Sequence, residues 1–326
     1  MRLCRKGPIM RDLTTGNILT DWQEQHVRLF GRHSLKLKHS LHNSDLFTDE
    51  ALAKLIENYP RELYHVKTTD TGAASGRSHR EGELGGISGE AALEAVRKGQ
   101  IWINLQNPGA IEPGHADLLA EMYREFEARV PGLKTFKHMS TILISSPHVK
   151  VRYHADVPGQ MLWQIRGRKR VWVYPNPPPF LPAEAIEKLT LKRFHETDMP
   201  YEPWFDDYAE VLELEPGYML YWPLNCPHRV ENHDSLNISI TTEHWSAPLR
   251  DAYAMNYANG LLRSAGLSSL SNAPMGARYY AKLALTAAHK LSGAGKSKAK
   301  PYHIDFAVDP DSPTGYRDIH AYEFRK

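Results

Sequence analysis

The fold is decided by two neighbouring runs of sequence, Val149-Lys-Val-Arg-Tyr-His-Ala-Asp156 and Gln160-Met-Leu-Trp-Gln-Ile-Arg-Gly-Arg-Lys-Arg-Val-Trp-Val-Tyr-Pro175. On a β-strand, successive side chains point to opposite faces, so residues two apart share a face. An extended first run therefore predicts that His154 and Asp156 project together. The other face would carry three residues: Val149, Val151 and Tyr153. Two histidines and one carboxylate suit a non-haem Fe(II) ion that activates O₂, so a second histidine should follow.

The pattern His-x-Asp occurs three times in a chain with 17 histidines, so its surroundings must select one copy. His115-Ala-Asp117 opens a stretch with helical spacing, in which residues two apart diverge by roughly 200° and do not converge on an ion. His303-Ile-Asp305 has only His320 after it. Only His154-Ala-Asp156 lies between two strand-like runs, which favours it over the alternative of an ordinary surface or core histidine.

The predicted second histidine lies in Leu214-Glu-Pro-Gly-Tyr-Met-Leu-Tyr-Trp-Pro-Leu-Asn-Cys-Pro-His-Arg-Val230. A Pro-Gly turn leads into a short apolar strand, and a loop bracketed by prolines then ends at His228. This run resembles the jumonji-type (JmjC, cupin-like) Fe(II)/2-oxoglutarate oxygenases, in which a Pro-Gly turn, a strand ending in Pro and a histidine eleven residues after the Gly recur. Gly217, Pro223 and His228 have that spacing.

The same family has a basic residue fifteen positions after the first histidine, within a run like Gln-x-x-Gly-x-Lys-Arg. Gln164-Ile-Arg-Gly-Arg-Lys-Arg170 matches this run, and Lys169 is the residue fifteen after His154. Other 2-oxoglutarate enzymes use an Arg about ten residues after the second histidine, but that position is Ile238 here. Tyr218 departs from the usual Asp after the Pro-Gly turn, which affects the turn and leaves the ligand set intact.

The resemblance covers residues 98–246 and is to the asparaginyl hydroxylases acting on hypoxia-inducible factor and to ribosomal-protein oxygenases. It implies Fe(II) held by His154, Asp156 and His228, and 2-oxoglutarate whose far carboxylate pairs with Lys169. With O₂, such an enzyme hydroxylates a C–H bond of a protein side chain or a small molecule and releases succinate and CO₂. The residues near the site resemble those of the hydroxylases, and this resemblance favours hydroxylation over demethylation. The implied fold is mainly β, a double-stranded β-helix (jelly roll, cupin-like) with flanking N- and C-terminal helices.

Two other readings stay open on the residues alone. One is a metal-binding cupin enzyme that uses no 2-oxoglutarate, and the other is an inactive cupin fold used for interaction. Lys169 separates both of them from a 2-oxoglutarate oxygenase, because a cupin with no diacid to bind has no need of a cation at that spacing. A basic residue on a strand is, however, often only a surface group.

Composition limits the compartment and the partners. The net charge of +2 predicts no strong attraction to nucleic acid or to a membrane surface. Two cysteines, Cys4 and Cys226, give no disulfide framework and suit a reducing compartment. No run of residues approaches a membrane span and no signal peptide is evident, so we expect a cytoplasmic enzyme.

The remaining periodicities predict three parts: a flank of helix and strand at 1–97, a catalytic barrel at 98–246 with a Pro-rich insert at 176–208, and a helical extension and tail at 247–326. Short strands dominate from Lys134 to His244, which suits an eight-stranded jelly roll. Gln100-Ile-Trp-Ile-Asn-Leu-Gln106 alternates like a strand with one polar face. Asn104 on that face is a candidate for contacting the cosubstrate, or an ordinary satisfied polar group.

Two further segments carry predictions about partners. The loop at 68–86 is either a solvated loop or a lid whose Arg77, His79 and Arg80 would suit an anionic substrate. Helices are predicted at 248–264 and 277–291, and in related oxygenases C-terminal helices cover the barrel or pair subunits. A homodimer through these helices is therefore an expectation.

Overall fold

Short runs of β-branched and aromatic residues alternate with turn residues through most of residues 101–245, and they fold as strands. The computed structural model describes residues 17–68, 80–195, 198–268, 270–294 and 301–326. The strands are β1 (Leu35–Lys38), β2 (Tyr64–Thr68), β3 (Arg80–Glu83), β4 (Ile101–Gln106), β5 (Phe136–Ser145), β6 (Lys150–His154), β7 (Gly159–Arg166), β8 (Lys169–Val173), β9 (Glu210–Leu214), β10 (Tyr218–Tyr221), β11 (His228–Asn232), β12 (Asn237–Trp245), β13 (Tyr302–Val308) and β14 (Tyr316–Phe324).

Two helices begin after capping residues, Thr48 and Ser88, whose hydroxyl groups accept hydrogen bonds from the backbone N–H three residues on. The helices are α1 (Glu24–Leu29), α2 (Asp49–Glu57), α3 (Gly89–Lys98), α4 (Pro113–Arg129), α5 (Ala183–Thr190), α6 (Ala247–Ser264) and α7 (Ala277–Leu291). Within the described ranges, none of these helices has both the length and the apolar character that a membrane span requires.

Eight consecutive strands, β5 to β12, form a two-layered barrel. In one sheet the order is β10-β7-β12-β5, in the other β6-β11-β8-β9, and every pair within these two sets is antiparallel. The chain therefore passes back and forth between two facing layers, as in a jelly roll. The predicted fold class, a mainly β jelly roll with flanking helices, is confirmed.

Both flanks add strands to the larger layer. Its complete order is β1-β10-β7-β12-β5-β4-β2-β3-β13-β14, with β13 parallel to β3. The last part of the predicted extension and tail at 247–326 is thus a hairpin of β13 and β14 that continues the sheet. The pairing of β13 with β3 is a long-range contact that no local pattern encodes.

Three apolar clusters divide the interior. The largest fills the space between the outer face of the large sheet and helices α2, α3 and α4. A second lies between the two layers and includes Leu162, Val171, Leu220 and Trp222. The third lies outside the small sheet, where Tyr153 and Tyr174 pack against the insert around Phe180 and Phe205.

A bulge in β6 corrects the prediction that Val151 and Tyr153 share a face. His228 pairs with His154 and Val230 pairs with Val151, so two steps along β11 correspond to three along β6. The extra residue reverses the alternation between them. Val151 therefore packs against the cluster between the layers, whereas Tyr153 packs outside.

The predicted loop at 68–86 is only partly a loop. Arg80 opens β3, and its guanidinium binds Asp305 at 3.0 Å and Asp318 at 2.5 Å. These carboxylates neutralise Arg80, so its proposed role toward an anionic substrate is wrong. Arg77 and His79 lie outside the described residues.

Candidate metal centre

Three side chains converge at one end of the space between the two layers. His154 ends β6, His228 begins β11 and pairs with it across the ladder, and Asp156 follows β6 by two residues. One ligand atom from each lies within 4.8 Å of the other two. Nε2 of His228 is 3.4 Å from Oδ2 of Asp156, and the two imidazole centroids are 4.1 Å apart. Residues predicted from two separate motifs are thus brought together.

Backbone carbonyls fix the tautomer and the orientation of the two imidazoles. Nδ1 of His154 lies 2.8 Å from the carbonyl oxygen of Arg152, and Nδ1 of His228 lies 3.2 Å from that of Cys226. Because a carbonyl oxygen can only accept, the proton of each neutral ring resides on Nδ1. Each Nε2 is then a lone-pair donor directed at the shared space, which is the arrangement that metal-binding histidines require.

Burial keeps His228 neutral. The side chain is almost fully enclosed, and the pKa of His228 lies well below its usual value because of desolvation, with a further lowering by His154. An uncharged imidazole does not form an ion pair with Asp156, despite the 3.4 Å approach of the two atoms. Two lone-pair-bearing atoms at this distance suit a shared cation, so the site fits a divalent metal.

Two neighbours of the triad were not predicted. Asn225 adopts a left-handed backbone conformation with φ of 60°, and its Nδ2 donates to the carbonyl of Asp156 at 2.5 Å. The Trp222 ring lies 4.4 Å from the His228 ring and covers one side of it. Asn tolerates the left-handed region better than most residues, so an Asn within the Pro223-Leu-Asn-Cys-Pro227 loop is a signal that could have been used.

Lys169 lies at the opposite end of the same space. It pairs with Asn232 in the ladder, whereas His228 pairs with Val173, so four residues, or about 13 Å of strand, separate the two levels. The Lys169 side chain is buried, and among the described residues no acceptor hydrogen-bonds its amine. Desolvation alone lowers the pKa of Lys169 to about 7. An enclosed amine without an acidic partner fits a carboxylate supplied by a ligand.

Asn104 lies on β4, in the opposite layer. It pairs directly with Leu143, whose side chain packs against the inner cluster, so both face the space between the layers. The Oδ1 atom of Asn104 is buried and has no hydrogen-bond partner within the described chain. Buried amide oxygens are rarely left without a donor, so this atom also fits an absent ligand or water.

The other two His-x-Asp copies do not form sites of this kind. His115 is buried in α4 with its ring 5.5 Å from that of Phe47, whereas Asp117 is exposed. His303 is an exposed residue of β13, and Asp305 is bound to Arg80. The predicted divergence of His115 and Asp117 is confirmed.

Comparison with known proteins finds a match for the central part of the chain. The family model described as a cupin-like domain matches residues 102–247. No curated protein matches the chain. Among solved structures, that of E. coli ycfD is 18% identical, with a TM-score of 0.46, and the match covers 84% of this chain and 68% of that one.

Two further structures are of YcfD, a ribosomal oxygenase from Escherichia coli. The complex with cobalt and 2-oxoglutarate is 17% identical, covers 90% of this chain and 74% of that one, and has a TM-score of 0.46. The complex with cobalt and succinic acid is 16% identical with the same coverage and a TM-score of 0.45.

Proposed function

We propose that this chain, whose residues 102–247 match the family model of a cupin-like domain, is an Fe(II)- and 2-oxoglutarate-dependent oxygenase. In this proposal His154, Asp156 and His228 hold the metal, and Lys169 binds the far carboxylate of 2-oxoglutarate. The reaction hydroxylates a C–H bond of the substrate, and 2-oxoglutarate leaves as succinate and CO₂. Bound Fe(II) and its cosubstrate supply the activation of O₂ that no amino-acid side chain can provide.

The observation that carries the proposal is the position of Lys169. A buried amine costs folding free energy, and nothing in the described chain neutralises it. It shares one enclosed space with the metal ligands, about 13 Å along the strands from them. A linear diacid that reaches the triad with one end can present its other carboxylate to this amine. A lysine retained only for structure would have a protein acceptor.

The chain's own residues prepare the site in three ways. The carbonyls of Arg152 and Cys226 hold both imidazoles with Nε2 toward the shared space, so the two rings need little reorientation when a metal ion binds. The Asn225 amide fixes the backbone that carries Asp156. The apolar wall that includes Leu162, Val171 and Leu220 excludes water, which strengthens the attraction between Lys169 and a carboxylate.

The test is succinate formation by the purified protein with Fe(II), ascorbate, 2-oxoglutarate and O₂, compared with the Lys169→Met and Asp156→Ala variants. We expect slow turnover of 2-oxoglutarate in the wild type even without substrate, and none in either variant. Asp156→Ala should lose metal, whereas Lys169→Met should keep metal and lose only 2-oxoglutarate affinity.

The alternative function is a metal-dependent cupin enzyme that takes no cosubstrate. It predicts metal binding by the wild type but the same affinity for 2-oxoglutarate, weak or undetectable, in the wild type and in Lys169→Met. Absence of metal binding in the wild type would instead favour an inactive fold.

A further inference from the structure

A strongly acidic surface lies beside the candidate metal centre. From Phe194 to His228 the sequence contains no Lys or Arg, although the whole chain has a net charge of +2. The same stretch holds eight acidic residues: Glu196, Asp198, Glu202, Asp206, Asp207, Glu210, Glu213 and Glu215. Such a concentration of one sign of charge on a nearly neutral protein creates a local field that attracts cationic partners.

Several of these carboxylates are unopposed at the surface. Asp206 binds Arg229, and Glu213 binds Arg170, so these two arginines of the small sheet are already neutralised. Glu202, Asp207 and Glu210 are exposed and form no ion pair with any described residue. The net charge offered to solvent there is therefore negative.

Exposed aromatic side chains alternate with these acids. The side chains of Tyr201, Trp204 and Tyr208 are 39%, 42% and 63% exposed, and the ring of Trp204 lies 5.9 Å from that of Tyr208. Glu202 accepts a hydrogen bond from the indole of Trp204 at 2.7 Å, which holds a carboxylate at the edge of a partly exposed ring. We name the surface formed by residues 201–211 the acidic-aromatic patch.

The acidic-aromatic patch is fixed to the same rim as the metal ligands. Tyr201 packs on Tyr153, the neighbour of His154, with ring centroids 5.2 Å apart. Glu210 pairs with Val173, which in turn pairs with His228. Two strand spacings, or about 10 Å, therefore separate the backbone of Glu210 from that of His228. A chain bound to the patch needs only a few extended residues to reach the centre.

We propose that the acidic-aromatic patch is a docking surface for an Arg- and Lys-rich segment of a polypeptide. Guanidinium and ammonium groups are attracted both to carboxylates and to the faces of Trp and Tyr rings, and this surface interleaves the two. A polyanion such as a nucleic acid would be repelled by it. The role of this surface in catalysis rests on the proposed oxygenase function. The substrate is then a basic polypeptide whose target residue lies a short distance from its cationic cluster.

The test is the binding of a fluorescein-labelled peptide of Arg-Gly-Lys-Gly repeats, followed by fluorescence anisotropy, with a Glu-Gly-Asp-Gly peptide for comparison. The patch variant carries Glu202→Lys, Asp207→Lys and Glu210→Lys. Its matched control carries Asp117→Lys, Asp311→Lys and Glu323→Lys, which change the net charge equally at exposed positions on α4, before β14 and on β14. No iron or 2-oxoglutarate is added, so a failure of docking is distinguishable from a failure of the oxygenase proposal, which succinate formation tests separately.

We expect the wild type to bind the basic peptide and not the acidic one, and the patch variant to lose about tenfold or more in affinity. The control variant should lose less than about twofold at physiological ionic strength, where screening limits remote charges to roughly 8 Å. Trp204→Ala should weaken binding about threefold or more, and Trp204→Phe should restore most of it, because the ring face is kept. This pair remains informative if the triple variant does not fold.

Equal losses in the two triple variants would overturn the proposal, because binding would then reflect net charge alone. Equal binding of both peptides would overturn it as well. A third outcome would overturn it too: the wild type binds no peptide, and light scattering shows that the patch variant differs from the wild type in molar mass. The surface would then be occupied by a second copy of the chain.

Discussion

His154 and His228 face each other across an antiparallel ladder, and each directs Nδ1 to the carbonyl oxygen of the residue two positions before it. The two strands that bring the histidines together thus also set their tautomers. Because the carbonyls belong to the local backbone, the hydrogen bond that orients each ring depends on no distant side chain. The centre should therefore be preformed in the metal-free protein.

Loss of any one triad residue should abolish tight metal binding while leaving the fold intact. We expect His228→Ala and Asp156→Ala to lower the affinity for Co(II) by more than about 100-fold, since loss of an outer-shell group alone typically costs 10–100-fold. Isothermal titration calorimetry measures this directly. His303→Ala changes an exposed histidine of another His-x-Asp pair and should bind Co(II) like the wild type. Equal affinities in all these proteins would place the metal elsewhere.

Replacement of Lys169 should raise stability and remove cosubstrate binding. Burial lowers the pKa of Lys169 to about 7, so at neutral pH the folded state is penalised for an amine that the unfolded chain keeps charged. Lys169→Met removes that penalty, and we expect a gain of roughly 1–4 kcal/mol in the free energy of unfolding. The same change should cost about 2–5 kcal/mol of 2-oxoglutarate binding. Urea denaturation and calorimetry, with and without 2-oxoglutarate, provide both numbers. A stability loss would show that Lys169 has an acceptor within the protein.

The affinity for 2-oxoglutarate should fall as the pH rises above about 7. Lys169 must be protonated to attract a carboxylate, and its pKa of about 7 in the free protein means that the charged form becomes scarce above this value. Binding then takes up a proton, and the dissociation constant should rise by up to about tenfold per pH unit. Calorimetry at pH 8 in buffers of different ionisation enthalpy would detect the uptake. No proton uptake in the wild type, or the same uptake in Lys169→Met, would contradict this role.

The barrel could be predicted from short windows of sequence because most of its strands have the composition that is typical of β-strands. β8 and β12 are rich in β-branched and aromatic residues, and both lie, to within one residue, in the run from Lys134 to His244 where short strands were predicted. The strands that were missed lack such a signal. β3 is Arg80-Glu-Gly-Glu83, and its place in the sheet comes from pairing with β2 and with the distant β13. Pairing partners far along the chain cannot be read from a local window.

The ligand residues were predictable and their setting was not. Residue type and spacing identified His154, Asp156 and His228, which the fold brings together. The β6 bulge depends on how β11 pairs with it, and a one-residue shift in pairing leaves no mark in the sequence of either strand. The burial of Lys169 likewise depends on the facing layer, so the sequence left open whether that amine was enclosed or at the surface.

Close packing of two helices should make Gly89→Ala strongly destabilising. A Cβ at Gly89 would lie 2.0 Å from the carbonyl oxygen of Ala53, so α3 would have to move away from α2. We expect a loss of about 1–3 kcal/mol or more in the free energy of unfolding. Gly114→Ala is the matched control, because its Cβ would meet only the end of the Leu46 side chain at 3.1 Å. An unchanged or raised free energy of unfolding in Gly89→Ala would contradict this, because only the better helix propensity of Ala would then be felt and the α2–α3 contact would have yielded to the added Cβ.

Buried neutral histidines should make the protein lose stability in mild acid. Desolvation lowers the pKa of His115 to about 4, whereas an unfolded histidine titrates near 6.5. Between these values the unfolded state binds more protons, so the free energy of unfolding falls as the pH drops from 6.5 toward 4. His244 and His39, with pKa values lowered to about 4 and about 3, add to the same slope.

Removal of one such group should flatten that slope. His115→Leu replaces the imidazole beside Phe47 with an apolar side chain. Between pH 6.5 and pH 5, we expect its free energy of unfolding to fall by about 2 kcal/mol less than that of the wild type. The free energy of unfolding in urea at several pH values measures the difference. His320→Leu changes an exposed histidine and should follow the wild-type curve. If His115→Leu also followed it, the imidazole of His115 would have to be protonated in the folded protein as well, with the nearby Glu112 carboxylate outweighing the effect of burial.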